Sequence, residues 1–198
     1  MNYEEPQGVF VQRYDKRIKF DLKEKLNFTL LKIKTQKMAH VSLKSIEAAI
    51  KKVDNLDDDG LERLSETYAL AQETLLGYVM SAAIEYENEK LEGLLIYYYC
   101  LLSETFAQEG LTIRKITEED IDTFEEPYFE MLDMYFENED EEVLESFCDQ
   151  PNLTQFMGME ISTEDEDGTS LDDETATQLF IVTLAMITLM GRAINPLN

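Results

Sequence analysis

Two stretches of this chain of 198 residues space oxygen-bearing side chains as a divalent cation would need them. In the first, Asn55, Asp57, Asp59, Gly60 and Glu66 fall at positions 1, 3, 5, 6 and 12 of a twelve-residue window. In the second, Thr163, Asp165, Asp167, Gly168 and Glu174 take the same positions. Calcium collects about six to eight oxygens around itself, needs a glycine where the chain turns sharply, and is closed off by a glutamate that gives both its oxygens. On this reading Asn55, Asp57, Asp59, Glu66, Asp165, Asp167 and Glu174 are candidate ligands for Ca²⁺.

Both windows resemble the loop of an EF-hand, and both lead into segments with helical patterning, as that loop requires. They depart from it at position 1, which is Asn55 or Thr163 rather than Asp. They depart again at position 8, which is Glu62 or Ser170 rather than an apolar residue. The windows also lie about a hundred residues apart instead of in tandem.

A second set of carboxylates suggests a different chemistry. Glu89 with Glu92, and Glu119 with Asp122, are each spaced three apart, which puts each pair on one face of a helix. This pattern resembles the all-α nucleotide pyrophosphohydrolases of the MazG-like and dimeric dUTPase-like group. There a Glu-x-x-Glu on one helix faces a Glu-x-x-Asp on the next, and the four side chains hold Mg²⁺. The resemblance would imply a Mg²⁺-dependent nucleotide hydrolase, with Lys90, Arg114 and Lys115 as the nearby cations for phosphate.

Other catalytic classes find no material. His40 is the only histidine, and neither Cys100 nor Cys148 has the spacing of a metal site. His40 reads as a surface or capping residue, the two cysteines as buried thiols of a reducing compartment. No glycine-rich phosphate loop is present. The run Tyr97-Tyr98-Tyr99 reads as core. Met131, Met134, Met157 and Met159 could fill the core or form an adaptable binding face.

Charge is the strongest signal. The formal net charge is −25. Residues 1–52 carry 12 Lys/Arg against 6 Asp/Glu, and residues 53–198 carry 5 against 36. A body this negative repels nucleic acid and anionic membranes and attracts basic proteins or cations. The favoured reading is a non-enzymatic protein-binding module of adaptor, inhibitor or immunity type, with an acidic surface for a basic partner. In the special case of nucleic-acid mimicry, its carboxylates would stand in for phosphates. The candidate contact residues are Asp57, Asp58 and Asp59; Glu118, Glu119, Asp120 and Asp122; and Glu137, Glu139, Asp140, Glu141 and Glu142. No organic cofactor is expected. Ca²⁺ or Mg²⁺ binding is the alternative.

Helices must position these groups. Gly and Pro number eight and four, too few for a turn-rich all-β fold. The expectation is an all-α single-domain bundle of about seven helices, with a basic arm at 1–41 packed on an acidic body at 42–198. Residues 9–34 allow a helix, a short hairpin or an extended arm. Ser42 should cap a helix ending at Asp54, and a long helix should run through Leu61, Leu75 and Ala82. Gly110 should end the next helix, and Thr117 with Asp120 should open one reaching Glu126. Pro127 should start another. Ser170 with Asp173 should cap the last. The runs Leu94–Leu102 and Leu179–Met190 are apolar enough to lie at the centre. The second of these is at the short limit for a membrane span, and a buried helix is the preferred reading. The first residues lack the basic-then-apolar pattern of a signal peptide, which suggests a cytoplasmic protein.

Overall fold

The computed structural model describes residues 39–138, 141–163 and 170–195. The expectations for residues 1–38, for Glu139 and Asp140, and for Asp165, Asp167 and Gly168 therefore lie outside the described residues.

The fold is all-α. Eight helices are described: α1 (Leu43–Asp54), α2 (Asp58–Ala71), α3 (Glu73–Glu85), α4 (Glu89–Gln108), α5 (Glu118–Asn138), α6 (Glu141–Phe147), α7 (Pro151–Ser162) and α8 (Asp173–Arg192). The two most apolar segments form the centre, as expected. α8 is long and apolar enough to cross a membrane, yet every residue from Ile181 to Gly191 is buried within the protein. α4 is buried without a break from Tyr98 to Phe106.

These two helices run parallel. At their starts, the Asn88 amide donates to Thr175 Oγ1 (3.0 Å) and Gln178 Oε1 (2.7 Å), and Lys90 pairs with Asp172 at 2.7 Å. At their ends, the Arg114 N–H donates to the Ala193 carbonyl (2.9 Å), and the Asn195 N–H to that of Thr112 (2.9 Å). Parallel neighbours need a long crossover, and α5, α6 and α7 supply it. We call the two poles of the bundle the starting end and the finishing end of this pair.

Local chemistry sets the boundaries. Ser42 Oγ accepts from the Ser45 N–H and opens α1, which buries Ile46, Ala49 and Val53 on one face. Gly110 ends α4 with φ of +75°, and the Gly110 and Leu111 N–H groups close back on Ala107 and Phe106. Asp172, rather than Ser170, caps α8 through the Thr175 N–H.

Two expectations about length need correction. The helix foreseen from Leu61 to Ala82 is two helices, because Gln72 leaves helical geometry (φ −138°, ψ 50°) between α2 and α3. Its buried side chain accepts from the Ile116 N–H and donates to the Arg114 carbonyl, both at 2.9 Å. Gln150, just before α7, does the same for the entering chain: it accepts from the Val41 N–H (2.8 Å) and donates to the Ala39 carbonyl (2.9 Å). Each amide thus pairs with an extended segment as a neighbouring strand would. Conversely, the two helices foreseen around Pro127 are one. Pro127 and Thr123 are both exposed, so the Thr123 carbonyl that loses its donor faces water.

Candidate functional site

The first cation window does not form a loop. Its fourth residue, Asp58, already begins α2, so Glu66 lies about two turns beyond Asp59 along the helix. Asp57 is the helix cap, and its carboxylate accepts from the Gly60 N–H at 2.8 Å. Gly60 sits in a crowded spot: an added Cβ would come within 2.9 Å of Asp57 Oδ1 and 3.1 Å of Leu56, and those side chains would have to shift. It does not have a positive φ. In the second window Glu174 sits in the first turn of α8 and accepts from the Gln178 amide at 3.2 Å. Among the described residues no group of three or more His, Cys, Asp or Glu is placed to hold a metal ion.

The two carboxylate pairs do not face each other. Glu89 and Glu92 open α4 at the starting end, whereas Glu119 and Asp122 open α5 beside Arg114, at the finishing end. The length of α4, about 30 Å, separates them. Two of the three cations foreseen for phosphate are also engaged. Lys90 is bound to Asp172, and Arg114 forks onto Asp120 at 2.6 and 2.7 Å.

Asp120 has further ties, accepting from both the N–H and the hydroxyl of Thr117 at 2.9 Å. With Arg114 beside it, its carboxyl is held well below the usual range. Asp120 is thus a structural member of the Glu118–Asp122 cluster, while Glu118, Glu119 and Asp122 remain exposed. A cleft of about 270 Å³ opens beside it, floored by Phe124 and Leu189. On its wall the Arg192 guanidinium lies 4.5 Å from the Phe147 ring and 5.5 Å from that of Phe124.

Two carboxylates that sequence reasoning passed over each accept three hydrogen bonds. Glu104 is 2 % exposed and accepts from Lys52 Nζ (2.7 Å), the Tyr68 hydroxyl (2.5 Å) and the Gln108 amide (2.6 Å). Burial alone would raise its pKa, but these donors outweigh it and hold the carboxyl below its ordinary value. Glu109 accepts from the Ser42 N–H (2.8 Å), Ser42 Oγ (2.6 Å) and Ser45 Oγ (2.7 Å), which lowers its pKa too. Glu104 fastens α1 and α2 to α4, and Glu109 fastens the start of α1 to the end of α4. His40, exposed, bonds the Asp149 carbonyl at 2.8 Å through Nδ1. Cys100 and Cys148 are buried free thiols, and burial pushes Cys100 up to about 11.

Among the remaining acids, a second exposed group stands at the pole opposite Glu118, Glu119 and Asp122. The described residues hold 8 Lys/Arg and 31 Asp/Glu. Glu87, Glu89 and Glu92 lie at the start of α4, and Asp172, Asp173 and Glu174 at the start of α8. α5 runs antiparallel to α8, since Arg192 sits over Phe124, Tyr128 donates to the Ile181 carbonyl, and Tyr135 packs on Phe180. That direction carries Glu137 to the starting end as well. Three separate stretches of acidic sequence therefore meet at one pole. The four methionines are split: Met131 and Met157 are buried, while Met134 and Met159 are 44 % and 63 % exposed.

No protein-family model matches this chain, and no curated protein or solved structure matches it either.

Proposed function

We propose that this protein is a non-catalytic binding module that engages a basic protein partner through the starting end of the α4/α8 pair. The observation that carries the reading is the meeting of three acidic stretches there, around a Lys90 already neutralised by Asp172. A field of this sign extends about 8 Å in physiological salt and raises the encounter rate of a basic partner. The two parallel helix starts hold the carboxylates in place, since the positive ends of both helix dipoles face them.

The test is capture of basic proteins by the full chain at low and high salt. Association should weaken sharply as salt rises, mainly through the on-rate. Neutralising Glu87, Glu89, Glu92 and Asp173 to Gln or Asn should weaken it more than neutralising Asp58 and Asp59. Binding that is equal at all salts would overturn the proposal. Competition by DNA or RNA for the captured partner would identify nucleic-acid mimicry as the form the binding takes.

A further inference from the structure

The cleft at the finishing end holds a cation that no described acid pairs with. It opens between the start of α5 and the end of α8, with Ile116, Phe124 and Leu189 as its apolar wall. Thr117 and Thr123 lie among its polar lining, and two guanidinium groups face it. That of Arg114 is cancelled, because it forks onto Asp120 at 2.6 and 2.7 Å. That of Arg192 forms neither an ion pair nor a hydrogen bond with a described residue, and is held by the rings of Phe147 and Phe124 alone. Burial beside the rings lowers its pKa, and the more distant charge of Asp149 only partly offsets this. The group has therefore given up water without gaining an anion. Ring contacts occupy the flat face of a guanidinium and leave the N–H groups along its edge to donate.

We propose that this cleft binds a small monocarboxylate with a flat apolar body, its carboxylate forked onto Arg192 and its body against Phe124 and Leu189. The edge of a guanidinium matches a carboxylate with two parallel hydrogen bonds, which a lysine in its place could not offer. Size limits the ligand. The cleft, about 270 Å³, falls just below the range of about 300–1,000 Å³ that holds drug-sized molecules. Charge limits it further. Asp120 in the wall and the exposed Glu119 leave Arg192 as the only uncancelled cation of the lining, and they oppose a second negative charge. One carboxylate is therefore favoured over a dicarboxylate or a phosphate ester. The site stands at the opposite pole from the acidic group around Glu87 and Asp173, takes the opposite charge, and does not rest on the basic-partner reading.

The test titrates the full chain with benzoate and with its uncharged counterpart benzamide, followed by two-dimensional NMR. Benzoate should move the signals of Thr117, Thr123 and Arg192 and bind at least about tenfold more tightly than benzamide. Phthalate, with its second carboxylate, should bind more weakly than benzoate. Arg192→Gln should erase the preference for benzoate, and Arg192→Lys should keep only part of it, since an ammonium supplies the charge without the fork. Glu119→Gln alters an exposed side chain and should tighten benzoate about twofold while leaving benzamide unchanged. That variant decides the matter even if Arg192→Gln loosens the packing on Phe147. Equal binding of benzoate and benzamide, wild-type affinity in Arg192→Gln, or shifts confined to residues away from the cleft would each overturn the proposal. So would the absence of any saturable shift in the full chain, the result expected if residues 1–38 already fill the cleft.

Discussion

The carboxylates beside the end of α4 and those at its start behave as two different materials. Near the finishing end, Glu104 and Glu109 each receive three hydrogen bonds and act as internal fasteners, drawing α1 and α2 onto α4. At the starting end, Glu87, Glu89, Glu92 and Asp173 are exposed. The same functional group is structural where donors surround it and a source of external field where water does. What separates the two is the supply of donors, which comes from helices distant in sequence.

The comparison breaks most severely if a carboxylate is put where no donor waits. Leu184 is buried in the middle of α8, and Leu184→Asp should cost several kcal/mol, enough to unfold a protein whose total stability is of order 5–15. Loss of the cooperative helical melt in circular dichroism would register it. Removing a satisfied carboxylate comes next. Glu104→Ala leaves Lys52, Tyr68 and Gln108 without their acceptor and opens a small void, a loss of about 2–4 kcal/mol. That loss is moderated because the Lys52 side chain is 47 % exposed and can rehydrate. Urea denaturation of the variant should show the lower midpoint.

A smaller effect appears in pH dependence. The folded-state pKa values of Glu104 and Glu109 are depressed, so their stabilisation is fully present above the unfolded glutamate value, about 4.3. It is lost as pH falls through the folded values. Glu109→Gln should therefore narrow the drop in melting temperature between about pH 5 and pH 3 relative to the wild type. The surface acids should act the other way, since their protonation relieves mutual repulsion. The smallest effect is expected for Asp58→Asn with Asp59→Asn at the start of α2. Lost contact with the helix dipole and relieved repulsion nearly cancel there, and the melting temperature should move by less than about 2 °C.

Much of the architecture can be read from one dimension. The runs in α4 and α8 are too apolar to lie anywhere but the centre, and Ser42 and Gly110 announce their helix boundaries. The break at Gln72 is invisible because the apolar periodicity from Leu64 and Tyr68 continues unshifted into Leu75 and Val79. What stops the helix is an amide reaching Arg114 and Ile116, some forty residues on. Glutamine is not a capping residue, so nothing local marks Gln72 as the end of a helix, whereas Pro151 at the first position of α7 does mark the start that follows Gln150. The cation window at Asn55–Glu66 overlaps the start of a helix. An Asp that caps a helix and a Gly that makes room for the cap have the spacing of a metal loop, and only the position of the first helical residue tells them apart. The candidate contact clusters were legible as acidic. Their sorting by pole was not, because it depends on α4 and α8 being parallel.

That parallel pairing also fixes an order of events in folding. α8 fills the middle of the core against α4, whose first residue precedes it by more than eighty positions. Every other described helix is synthesised before α8, yet α3, α4, α5 and α7 all pack on α8. During translation those packing faces wait exposed until Asp173 to Arg192 have emerged, and closing so long a loop makes the docking of α8 a late and slow step. A nascent chain arrested before Asp173 would therefore be sticky and sensitive to protease, and would gain its resistance abruptly with the last helix rather than helix by helix.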